Sequence, residues 1–443
     1  MQRIINHILL IAALIAFNAC RSASGSGAMN STSPCQIALA EHQGEAEIDK
    51  QIARLQRDIR TNARPAQTNA LVEKLGWSFV EKARASFDPG FYKLAEQCAL
   101  CLESKQNEKQ PDDQPLASAQ SLRAASLLLR GHALHNLHRF AEAERIAREL
   151  VEMRGIAYDF GLLGDVLMEQ GKLDEAILAY QKMMEMRPGP QAYSRAAHVR
   201  WLKGDLDGAR VLMRLAAQSA GQGDPESSAW AWSRLALFEL QAGTVKQAHA
   251  MCDLALELQK DYAPALLARG RILLAENKAS EAVAPLQKAA GINRLPEYQW
   301  TLADALRAAG RNDEAAKVES ELAASGAAND PRTFAVYLAT RRDNTEAALR
   351  LAEEETKLRR DVYTLDALAW AQLASGNAPE AWKTMQSALA LDTQDARMFL
   401  HAAIIASQIG EKSSAKSYAA KAAKIESMLL PGEKVRLKEL KNS

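Results

Sequence analysis

Breakers and aromatics are scarce in this 443-residue chain: glycine occupies 23 positions, proline 14, and aromatic residues 6%. So few breakers make an all-β fold or a parallel-sheet enzyme a poor fit. An excess of either charge is also missing. The 55 Lys and Arg against 54 Asp and Glu leave a net charge of +1, which argues against a chain-wide affinity for nucleic acid. The charged fraction of 25% is ordinary, which excludes bulk disorder and an integral membrane protein. Cysteine numbers only 5. What is abundant is alanine, at 83 positions. Much alanine with few breakers points to helices packed closely on one another. The length fits two to four ordinary domains, or one elongated repeat array.

The first twenty residues, MQRIINHILLIAALIAFNAC, read as an export signal. Arg3 supplies a positive start, and Ile8 to Phe17 form an unbroken apolar run of ten, short for a bilayer span but right for a cleaved signal. The segment Phe17-Asn18-Ala19-Cys20 resembles a bacterial lipoprotein lipobox, which implies lipidation of Cys20. Phe17 and Asn18 depart from the usual leucine and small residue, so ordinary cleavage near Gly25 and an uncleaved anchor stay open as alternatives. Ser22 stands where an inner-membrane retention signal carries Asp, so the expected location is periplasmic, lipid-anchored, and at the outer rather than the inner membrane.

After residue 120 one pattern repeats. Alanine recurs at 143, 176, 209, 248, 282, 315, 347, 381 and 415, at spacings between 32 and 39. Twelve residues before each stands a second small residue: Gly131, Gly164, Ala197, Ala236, Gly270, Ala303, Ala335, Ala369 and Ala403. Two small positions among apolar residues at helical spacing describe a helical hairpin in which backbones approach closely. Gly171, Gly204, Gly243, Gly310, Gly376 and Gly410 fall in the turn, where a left-handed C-cap favours glycine.

This unit of about 34 residues resembles the tetratricopeptide repeat, TPR, most clearly at 157–190 with Gly164, Leu167, Tyr180, Met183 and Pro188. The resemblance implies an all-α TPR-type α-solenoid of about ten hairpins forming a superhelix. Nine units start near 124, 157, 190, 229, 263, 296, 328, 362 and 396, with a degenerate one near 69. The organisation expected is a signal peptide (1–20), flexible linker (21–44), N-terminal helix (45–65), degenerate first repeat with polar insertion (66–119), the array (120–430) and a C-terminal tail (431–443). The stripe Ile48, Ile52, Leu55, Ile59 fits a helix that caps the array or pairs with a partner helix. The unit at 328–361 matches poorly and is expected to be irregular.

No P-loop, HExxH, nucleophile elbow or phosphate loop occurs, so no catalytic residue, cofactor or small-molecule substrate is assigned. The resemblance places binding on the first helix of each unit, along a concave groove for a protein or peptide. The groove positions hold Asp165, Glu169, His198, Trp201, Trp230, Arg271, Trp300, Asp304, Arg307 and Trp370. Tryptophan is a frequent binding hot spot; the competing reading buries these rings between repeats. Arg271 and Arg307, in adjacent units, could clamp a carboxylate; alternatively each pairs with a nearby acid, Arg307 with Asp304.

His132, His135 and His138 lie close together, but no acid or cysteine of the same helix completes a metal site, and none is assigned. Cys98 and Cys101 form a mid-helix C-x-x-C, poorly placed to bond each other. Cys35 pairing with one of them is one reading and free thiols the other. The stretch 412–443 has 8 basic and 3 acidic residues and is expected as a solvated capping end. Together these features describe a non-catalytic scaffold binding a protein partner in assembly of a cell-envelope complex. The alternative is a permanent structural subunit of an envelope or secretion machine.

Overall fold

The computed structural model describes residues 33–62, 64–107, 116–220 and 224–442. The expected signal peptide and Cys20 lie outside these residues. The chain is an all-α TPR-type solenoid. The degenerate first repeat is the pair α3 (Pro65–Ser86) and α4 (Gly90–Asn107). Next come α5 (Leu116–Asn136) with α6 (Phe140–Met153), α7 (Ala157–Glu169) with α8 (Leu173–Met186), and α9 (Pro190–Leu202) with α10 (Leu206–Ala220). The middle holds α11 (Pro225–Gln241) with α12 (Val245–Leu258), α13 (Ala263–Ala275) with α14 (Ala279–Ile292), and α15 (Pro296–Ala308) with α16 (Asn312–Asn329). The pairs α17 (Pro331–Arg341) with α18 (Thr345–Leu358), α19 (Val362–Ala374) with α20 (Ala378–Ala388), and α21 (Ala396–Gln408) with α22 (Lys412–Lys424) complete ten hairpins.

The small residues do what their spacing requires. Ala176, Ala209, Ala248, Ala282 and Ala315 are fully buried where the two helices of a hairpin meet. A Cβ added at Gly164 would lie 2.4 Å from the Tyr180 ring, so only glycine lets α7 approach α8 this closely. The turn glycines are left-handed, Gly171 at φ 76° and Gly204 at φ 77°. Units without the glycine put another residue there: Asn277 at φ 60° and His138 at φ 58°. His138 is therefore a turn residue and not the third histidine of a helical row. The poorly matching unit is irregular, with a short α17 and two left-handed residues, Arg342 and Asn344, in its turn.

The N-terminal expectation needs one correction. Residues 33–44 are not a linker: Ser33 caps a short helix, α1 (Pro34–Ala38), whose Ala38 is buried, and Cys35 is disulfide-bonded to Cys101. α2 (Glu47–Thr61) buries Ile52, Leu55 and Ile59 in one core with residues of α3 and α4, so it caps the array. Of the expected polar insertion, residues 103–107 belong to α4, which ends at Asn107, and 116–118 to α5, which starts at Leu116.

The winding brings distant repeats together. The Arg360 N–H donates to the Glu169 carbonyl at 3.2 Å. The Gln241 amide donates to the Gln394 carbonyl at 2.7 Å, and the Ser427 hydroxyl to the Leu240 carbonyl at 3.0 Å. Trp201 stacks on Tyr363, ring centroids 6.1 Å apart. The inner ends of α7, α9 and α11 thus rest against the segments leading into α19, α21 and the C-terminus. The open concave groove expected from the sequence is largely closed by the chain itself.

The C-terminal tail is likewise ordered. A 3-10 turn (Glu426–Met428) leads into α23 (Pro431–Asn442), which buries Leu437 and Glu433. α23 packs against α15, α21 and α22, so it folds back across first helices.

Candidate ligand site on the inner face

The first helices face inward, as the repeat pattern requires, because their small and apolar residues pack on the next first helix and leave one stripe toward the axis. Closure consumes most of that stripe. Trp201, Trp300 and Trp370 are only 4%, 3% and 6% exposed. The Trp201 indole N–H donates to Gln241 at 2.8 Å and that of Trp370 to Thr340 at 2.9 Å. Trp370 stacks on His401 at 4.1 Å, and Arg397 covers the Trp300 ring at 4.5 Å. The expectation of four open groove tryptophans is corrected accordingly: Trp230, 39% exposed, is the one left at the surface.

The predicted charges are also spent. Asp165 takes Arg195 at 2.5 Å and the Tyr180 hydroxyl at 2.9 Å. Burial pushes its carboxyl up, but Arg195 outweighs this and holds it below its ordinary value. Glu169 faces Arg359 at 3.5 Å across the closure. Arg307 pairs with Glu319 of α16, not with Asp304, and Arg271 with Glu297, so each arginine of the expected clamp already holds an acid. Asp304 instead accepts the Gly432 backbone N–H; burial, then the nearby Glu433, lifts its pKa to about 6. His132 packs against Trp77 at 5.5 Å, and burial, then His135, lowers its pKa to about 4. Among the described residues no cluster of three His, Cys, Asp or Glu is placed to hold a metal ion. None of their helices is long and apolar enough to cross a membrane.

A cavity of about 330 Å³, partly open to solvent, lies among the first helices from α9 to α21. Trp201, Leu237, Phe238, Val336, Tyr363 and Met428 supply its apolar walls. Of the predicted residues it includes His198, Trp201 and Arg271. Burial, then Arg234, lowers the His198 pKa to about 4, so this imidazole is neutral at pH 7. Arg271 reaches Glu297 at 3.3 Å, while its buried Nε has no acceptor. Arg332 faces Asp361 at 3.2 Å, and Arg397 pairs with Glu433. Sequence reasoning missed Arg234, which also lines the cavity. It lies off the family's groove positions.

The C-terminal segment sits beside this cavity on the same face. Glu433 holds Arg397, Arg436 donates to the Thr340 carbonyl, and Leu430 joins the main core.

The tetratricopeptide repeat family matches residues 160–190, over α7 and α8. No curated protein matches the chain. Among solved structures, a chain of the crystal structure of the APC/C hetero-tetramer Cut9–Hcn1 aligns over 89% of this chain and 90% of its own, at 14% identity and a TM-score of 0.32. A superposition that loose says nothing of partners.

Proposed function

We propose that this protein is a non-catalytic interaction scaffold that holds a segment of a protein partner on the inner face of its superhelix. One observation carries the reading: the inner face already holds a helix, the chain's own α23, through Arg397, Thr340 and Asp304. A surface that seats one helix by a buried leucine and paired charges can seat another. The export signal and the lipobox-like Cys20 support a place in the cell envelope, with the protein lipid-anchored and its partner a component of an envelope complex.

A second reading, a permanent structural subunit, is favoured by a different observation. Leu178 on α8 and Val211 on α10 are 63% and 61% exposed on the outward helices, where a fixed neighbour would cover them. Capture from native membranes separates the two. Under the scaffold reading Leu237→Asp on the inner face abolishes capture of the partner, and Leu178→Asp leaves it intact. The reverse pattern supports the structural subunit.

A further inference from the structure

The cavity between α9 and α21 carries an inference independent of the scaffold reading. Its volume of about 330 Å³ falls at the small end of the ligand-site range of roughly 300–1,000 Å³. Three of its arginines are each paired with an acid. Arg332 has Asp361, Arg397 has Glu433, and Arg271 has Glu297. Asp366 is hydrogen-bonded to His401, and Asp395 accepts the Met398 N–H. Arg234 is the exception. Among the described residues no hydrogen bond or ion pair reaches its half-buried guanidinium, which lies over the Phe238 ring at 5.7 Å.

A half-buried cation with no counter-charge costs stability, and the free fork of a guanidinium matches a carboxylate in two parallel hydrogen bonds. The walls beside it are aromatic and aliphatic. The acids Glu297, Asp366 and Asp395, which also line the cavity, repel a second negative charge. We propose that this cavity is a binding site for a small monoanionic carboxylate with a compact apolar body, its carboxylate taken by Arg234 and its body packed on Trp201, Phe238 and Tyr363. The same carboxylate could arrive free or as the C-terminus of a peptide.

Calorimetric titration of the full chain tests this with phenylacetate, its neutral amide, inorganic phosphate, and an acetylated tetrapeptide ending in phenylalanine. Saturable binding of phenylacetate and none of the amide is expected. Binding by the tetrapeptide alone assigns the carboxylate to a peptide end and supports the site equally. Arg234→Met weakens the carboxylate by roughly tenfold or more while its thermal midpoint holds or rises, since an unmatched cation is removed. Should that variant not fold, Arg234→Lys keeps the charge, loses the fork and shows weakened binding. Equal binding of the amide, tighter binding of phosphate, full affinity in a folded Arg234 variant, or no carboxylate binding at all overturns the proposal.

Discussion

The Thr393 hydroxyl donates to the Leu202 carbonyl at 2.7 Å, both groups buried and 191 residues apart in the chain. The bond joins the end of α9 to the segment entering α21, and it marks where the superhelix closes on itself. Its cost, the ordering of many intervening residues, is borne by the stacked hairpins between, each of which packs first on its neighbours. Closure converts an open groove into a bounded cavity.

Thr393→Val keeps the shape of the side chain and strands the buried carbonyl. A loss of about 1–2 kcal/mol is expected in urea unfolding. The exposed Ser375→Ala, whose hydroxyl reaches the Thr345 carbonyl at 3.2 Å, serves as the control and changes little.

Gly164→Ala places a methyl group against the Tyr180 ring, which cannot swing freely because its hydroxyl is held by Asp165. Overpacking of about 1–3 kcal/mol follows, read as a lower thermal midpoint. Gly243→Ala meets no atom within 4 Å; its smaller penalty comes only from the left-handed turn at φ 76°. The ranking of the two variants separates packing from backbone strain.

Reduction of the Cys35–Cys101 bond frees the segment carrying α1, which spans a sequence separation of 66 residues. Loop-closure entropy predicts a loss of about 2–4 kcal/mol, confined to the N-terminal unit. Calorimetry with and without reductant shows it as an earlier shoulder, and the double variant Cys35→Ser, Cys101→Ser reproduces it without reductant. Cys98 plays no part: burial raises its pKa and suppresses the reactive thiolate.

Asp304 gives the pH dependence. Its pKa rises from the model-peptide value of 3.8 to about 6 on folding, so the native state binds its proton more tightly than the unfolded chain. The stabilising effect is full below pH 4 and is lost as pH rises through 6. Asp304→Asn keeps an acceptor for Gly432 and removes the charge. With allowance for the water that still reaches this half-buried group, it stabilises the protein by about 1–2 kcal/mol at pH 7. The gain disappears near pH 4, as urea midpoints across that range will record.

The hairpins were legible in the sequence because close helix contact forbids large side chains, and that prohibition repeats wherever a unit does. Ala176 and Gly164 are placed by a local rule. Closure was not legible, since the contacts of Glu169 with Arg359 and of Trp201 with Tyr363 depend on small rotations summed over several units. Three tryptophans assigned to an open groove were buried by that sum. Arg234 escaped notice for a related reason: its role depends on which carboxylates the winding brings within pairing distance, and among the described residues none pairs with it. The C-terminal basic stretch read as a solvated end, but Leu430 and Leu437 found an apolar inner face to cover.

Hydrogen exchange of the full chain, alone and with the partner captured from membranes, tests the central claim most directly. The account predicts slower exchange in α9, α11 and α13, the first helices around Trp201, Arg234 and Arg271, with changed protection in α23. Protection confined to the outward helices α8 and α10, with the first helices unchanged, would contradict it.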